Sequence, residues 1–102
     1  MKWTVVRYRT KPEATEENAR LIAAVFAALR TRTPEGLRYA ALRLEDGSFI
    51  HVSCADDNST LTTLDEFRAF RSGVEARCLE PPKTATATVV GNYRMLAAPS
   101  DE

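Results

Sequence analysis

A chain of 102 residues is expected to form one domain with a single core, being too short for two. Fourteen basic residues balance 14 acidic ones, so the formal net charge is zero, which argues against attachment to nucleic acid or an anionic membrane by bulk charge. No apolar run is long enough to span a bilayer, and Met1–Arg7 lacks the continuous apolar stretch of a secretion signal, so a cytoplasmic location is expected.

Residues Lys2 to Arg9 alternate as a strand, with Thr4, Val6 and Tyr8 on one side and Trp3, Val5, Arg7 and Arg9 on the other. A core next to helices would not readily accept Arg7. Val6 and Tyr8 are therefore assigned to the helices, and Trp3, Val5 and Arg7 to the face described below. Lys11-Pro12-Glu13 ends the strand. Thr15 is the predicted N-cap of a helix reaching about Arg32, with Glu16 and Glu17 suited to its positive dipole end. Ala19, Ile22, Val25, Phe26 and Leu29 recur at helical spacing, and Pro34 and Gly36 stop the helix.

Two alternating runs flank Asp46-Gly47, a strong hairpin signal. A two-residue turn would mix apolar and polar groups on each face. A type I turn closed by Gly47 in a left-handed bulge sorts them, pairing Leu44 with Ser48, Leu42 with Ile50, Ala40 with Val52 and Arg38 with Cys54. One face then carries Ala40, Leu42, Leu44, Ile50, Val52 and Cys54; the other carries Tyr39, Ala41, Arg43, Phe49, His51 and Ser53. The second face, aromatic and ionisable together, reads as the lining of a covered cavity.

Ala55–Thr60 reads as a polar loop; Asp56 and Asp57 lack the spacing of a cation loop. Thr63 and Glu66 have the spacing of a capping box. Leu64, Phe67, Phe70, Val74 and Cys78 form the apolar stripe of a second helix, interrupted at Ser72-Gly73 and ended by Pro81-Pro82. The last strand is predicted from Thr84 to about Leu96. One domain over 1–96 and a frayed tail over 97–102 follow. Cys54 and Cys78 fall on different elements, without metal or redox spacing, as two reduced thiols would.

The order strand–helix–hairpin–helix–strand is a ferredoxin-like βαββαβ α+β fold: a four-stranded antiparallel sheet with both helices on one face. Its other face would expose Phe49, Tyr39 and Ala41 together with Trp3 and Val5, an apolar patch larger than monomers usually carry, so a homodimer covering that face is expected. Phe49 is placed in that contact, where a charge would dissociate the pair.

Here the chain resembles the dimeric α/β barrels of the antibiotic biosynthesis monooxygenase-like superfamily. The resemblance rests on Val5–Pro12 leading into a helix, the Asp46-Gly47 hairpin, Leu64, Phe67 and Phe70 in the second helix, and Val89–Tyr93 in the last strand. It implies dimerisation into a barrel and a ligand cavity between helices and sheet or inside the barrel. The superfamily includes cofactor-independent oxygenases of aromatic polyketides, haem-degrading enzymes and isomerases. The haem-degrading pattern of an Asn on the first strand and a His on a helix has no counterpart here.

His51, the sole histidine, is the candidate proton acceptor beside Tyr39, able to ionise a phenol or enol that then reacts with oxygen without a metal or flavin. Arg43 or Arg7 would hold the oxyanion, and Trp3 and Phe49 would stack on a planar aromatic or quinone-like substrate. No cofactor or metal is expected. Structural readings stand beside these: a His hydrogen-bonded across the dimer, and arginines paired with interface carboxylates. A non-catalytic dimeric binding module would use the same cavity. An RNA-recognition module shares the topology, but no aromatic directly follows Gly47 and the net charge is zero.

Overall fold

The computed structural model describes residues 2–55 and 59–96. Strand β1 (Lys2–Thr10) leads through a 3-10 turn (Pro12–Ala14) into helix α1 (Thr15–Arg32). Strands β2 (Leu37–Arg43) and β3 (Ser48–Ala55) form the hairpin. Helices α2 (Ser59–Thr62) and α3 (Asp65–Ser72), a 3-10 turn (Glu75–Arg77) and strand β4 (Cys78–Ala87) follow. The sheet order is β2-β3-β1-β4, all neighbours antiparallel. With α1 and α3 packed together on one face, this is the ferredoxin-like α+β arrangement. Among the described residues no helix is long and apolar enough to cross a membrane.

The hairpin has the sorted register. Arg38 pairs with Cys54, Ala40 with Val52 and Leu42 with Ile50. Leu44 N–H donates to the Ser48 carbonyl at 2.8 Å, and Gly47 at φ +87° supplies the left-handed residue that closes the turn. Asp46 adds a local lock by accepting from the Ser48 amide at 2.9 Å.

Val6 and Tyr8 face the helices as expected, but the face assigned to the hairpin's His51 row, expected beside Trp3, Val5 and Arg7, is corrected. Paired residues on neighbouring strands share a face, and β1 pairs Val6 with His51 and Tyr8 with Phe49. The face bearing His51 therefore packs against the helices. Tyr8, Phe49, Ile22, Val25 and Phe70 form the buried core, with Tyr39, Ala41, Phe67 and Leu29 against it. Full burial of such side chains is worth about 1.5–3 kcal/mol each. Trp3, Val5 and Arg7 lie on the opposite face, paired with Cys54, Val52 and Ile50. Arg7 does avoid the helices, but it does so by facing away from His51. Phe49 is buried in the core, with Tyr39 and Ala41 packed against it, which removes these three residues from the face expected to meet a second copy.

Further corrections concern element ends. Thr15 does not cap α1; its hydroxyl lies 2.9 Å from that of Thr10 and reaches the Lys11 carbonyl. Thr63 likewise donates to the Thr60 carbonyl instead of capping α3, whose N-cap is Leu64. The second helix ends at Ser72, before Val74 and Cys78. The last strand begins at Cys78, takes in Pro81 and Pro82, and ends at Ala87. Two prolines are tolerated because β4 is an edge strand and its register shifts there: Arg7 pairs with Lys83 but Arg9 with Glu80. Val89–Tyr93 thus follows the strand. The predicted loop acids Asp56 and Asp57 and the tail over 97–102 lie outside the described residues.

Candidate functional site

Adjacent strands and the first turns of α1 deliver four polar side chains into one buried cluster. Tyr8 comes from β1, Asn18 from α1, Tyr39 from β2 and His51 from β3. The Tyr8 hydroxyl lies 2.8 Å from His51 Nε2, and the Tyr39 hydroxyl 2.7 Å from His51 Nδ1. Both imidazole nitrogens are thus occupied by tyrosines. Asn18 Nδ2 donates to the Tyr8 oxygen at 2.9 Å, and Arg77 Nε donates to Asn18 Oδ1 at 3.0 Å. A continuous chain of hydrogen bonds runs Arg77–Asn18–Tyr8–His51–Tyr39.

Each position has a local cause. Asn18 sits one turn before Ile22 on the same stripe of α1, so the helix buries it with its apolar neighbours. Arg77 ends the 3-10 turn after α3, donating to the Phe70 carbonyl at 2.7 Å and lying 5.5 Å from the Phe70 ring centroid. Gly73 leaves its guanidinium room: a Cβ there would come within 2.9 Å of Arg77 Nη1.

Burial governs the titration of the cluster. Desolvation lowers His51 from 6.5 to about 4, so the imidazole is neutral at physiological pH. Desolvation also raises Tyr8 to about 12, against the opposing hydrogen bond from Asn18. Tyr39 is raised as well, by burial first and then by Tyr8. The cluster is a set of neutral donors and acceptors lined by aromatic rings. Phe70 lies 5.4 Å from the imidazole and Phe26 stacks on Tyr39 at 4.8 Å. Tyr39 is the half-buried end of the chain, whereas Tyr8 is 2 % exposed.

Of the residues singled out from sequence, His51 and Tyr39 are brought together and Phe49 packs beside them against Tyr8, ring centroids 5.5 Å apart. Arg43 is held at the end of the hairpin by Glu16 of α1, 2.6 Å away and exposed. Trp3 and Arg7 are on the far face of the sheet. Sequence reasoning missed Tyr8 as a partner of His51, and missed Asn18 and Arg77 entirely. A polar residue on the α1 stripe was the available signal for Asn18. A groove of about 380 Å³ beside α3, lined by Thr62, Phe67, Arg68, Arg71 and Ser72, does not include the chain. Among the described residues no three His, Cys, Asp or Glu side chains cluster as a metal site would.

This architecture is the fold of proteins named antibiotic biosynthesis monooxygenases. A crystal structure so named superposes with a TM-score of 0.69 at 16 % identity, covering 89 % of this chain and 100 % of the other. One from Bacteroides thetaiotaomicron, provisionally given the same name, has a TM-score of 0.74 at 14 % identity, covering 92 % and 94 %. A protein of unknown function from Nitrosomonas europaea matches with a TM-score of 0.67 at 16 % identity, covering 94 % and 96 %. No protein-family model and no curated protein matches the chain.

Proposed function

We propose that the chain takes a small planar aromatic or quinone-like compound at the Tyr39 end of the buried network and promotes its ionisation for reaction with molecular oxygen. The observation that carries this is the neutral imidazole of His51, held between two tyrosine hydroxyls inside an aromatic lining. The phenol or enol gives its O–H proton to water, and the anion, held by a hydrogen bond from the Tyr39 hydroxyl, passes one electron to oxygen. The resulting radical and superoxide combine, with a proton, to a hydroperoxide at carbon. Loss of water then leaves a carbonyl, with one oxygen atom in the product and one in water. Both electrons come from the substrate, so no cofactor is invoked. Because tyrosine hydroxyls occupy both ring nitrogens, His51 acts on the substrate through Tyr39 and not by direct contact.

The proposal includes a homodimer. The face opposite the helices carries Trp3, Val5, Ile50, Val52 and Leu42, the last 49 % exposed, and a second copy laid on it would bury this patch. Ring packing around His51 also favours a second reading, a dimeric binding protein without turnover.

Oxygen uptake and thermal shift over one panel of phenols, hydroquinones and quinones separate the two. Uptake without added metal, flavin or haem, lost in His51→Gln, supports the oxygenase. Thermal shifts without uptake support the binding protein. Undiminished uptake in His51→Gln would remove the His51–Tyr39 pair from the reaction.

A further inference from the structure

The chain of hydrogen bonds has a direction, and one residue sets it. Arginine can only donate, so the atom of Asn18 facing Arg77 Nε must be its oxygen. The amide nitrogen is thereby turned onto Tyr8, whose oxygen must accept. Two arrangements remain for His51. If Nε2 carries the proton, it also donates to the Tyr8 oxygen, and the Tyr8 O–H is left without an acceptor among the described residues, at a site 2 % exposed. If Nδ1 carries the proton, Tyr8 donates to Nε2 and Nδ1–H donates to the Tyr39 oxygen. The only loose O–H is then that of half-buried Tyr39. A buried donor without an acceptor is costly, while one at the edge of the cluster can find water or a ligand.

We propose that Arg77 and Asn18 are positioning residues that order this network in one direction, holding His51 as its Nδ1–H tautomer and leaving the Tyr39 hydroxyl to donate to a carbonyl or phenolate oxygen of the ligand. The ligand half rests on the function proposed above; the tautomer half does not. The order makes the Tyr39 hydroxyl the free donor at the end of the chain, one that stabilises negative charge on a ligand oxygen.

The test is nitrogen NMR of the imidazole in the full chain, whose single histidine gives unambiguous signals. The native protein should show a protonated Nδ1 and an unprotonated Nε2. Asn18→Asp replaces the donor facing Tyr8 with an acceptor. Tyr8 then donates to Asp, the remaining bonds reverse, and the tautomer should invert to Nε2–H. Arg77→Lys, still only a donor, should keep the native tautomer, and Arg77→Met, which frees the amide to flip, should give a mixture of both. Native Nε2–H, or one tautomer common to the native protein, Asn18→Asp and Arg77→Met, would overturn the inference. Should Asn18→Asp fail to fold, the Lys and Met pair decides it alone.

The ligand half is read by titrating a quinone: Tyr39→Phe should weaken binding about tenfold, the loss of one hydrogen bond. Unchanged affinity would overturn that half. Native protein that binds no phenol or quinone yet shows the predicted tautomers would defeat the proposed function and leave the ordering intact.

Discussion

The two faces of the central strands invert the usual division between core and surface. On β1 and β3, the face turned to the helices holds Tyr8, Phe49 and His51, while the face turned away holds Val5, Ile50 and Val52. The histidine is in the core, while Val5, Ile50 and Val52 lie outside it with Arg7 on the same face. Polarity alone does not choose which side of a strand is buried. The helix face can bury a histidine because Tyr8, Tyr39, Asn18 and Arg77 satisfy one another's hydrogen bonds. The outer row needs no such network, because its side chains are only part-buried.

The largest difference between the faces should come from putting one charge on each. Phe49→Glu should abolish the cooperative unfolding transition altogether, because an unpaired carboxylate would enter the helix–sheet core. Val52→Glu should keep the helical circular dichroism and, by sedimentation, convert a dimer of the chain into a monomer. A folded Phe49→Glu protein would contradict the face assignment, and a native monomer at micromolar concentration would remove the dimer.

Acid should separate the faces next. Burial lowers His51 from 6.5 in the unfolded chain to about 4 in the folded one, so protons bind preferentially to the unfolded state. The His51 contribution is complete above about pH 6.5, declines as pH falls toward 4, and changes no further below that. At about 1.4 kcal/mol per pH unit the loss is roughly 3 kcal/mol. Urea unfolding at pH 7 and pH 4 should show that loss in the native protein, beyond the loss seen in His51→Gln. Any turnover that depends on neutral His51 should correspondingly be flat from pH 5.5 to 7.5, where an exposed imidazole would give a rise near 6.5.

Smaller effects sharpen the picture. Asn18→Ala leaves Arg77 Nε and the Tyr8 oxygen without their shared partner and should cost about 1–3 kcal/mol in urea unfolding. Arg43→Ala removes only an exposed pair with Glu16 and should change neither ligand affinity nor the unfolding midpoint measurably. A large loss of affinity there would restore Arg43 to the site.

The sequence carried much of this fold at specific residues. Asp46-Gly47 and the alternating runs around it determined the hairpin register, since only a left-handed Gly47 separates apolar from polar neighbours. The stripe Ile22, Val25 and Leu29 marked the buried side of α1. The pairing of β1 with the hairpin was not legible, because both sides of β1 carry a large aromatic, Trp3 or Tyr8, and periodicity is the same for either choice. The Pro81-Pro82 pair resembled a helix stop, yet an edge strand with a bulge accommodates it equally well. His51 and Tyr39 were legible as a pair by their shared face. Asn18 and Arg77 were not, because their roles depend on packing between α1 and the turn after α3, which no local pattern encodes.

That His51 is a neutral histidine sealed in the core by two tyrosines is tested by titrating its ring signals by NMR between pH 3.5 and 8. No titration is expected above about pH 5.5, with a midpoint near 4 or acid unfolding before that midpoint is reached. A reversible midpoint near 6.5 in the folded protein would place the imidazole in water and contradict it.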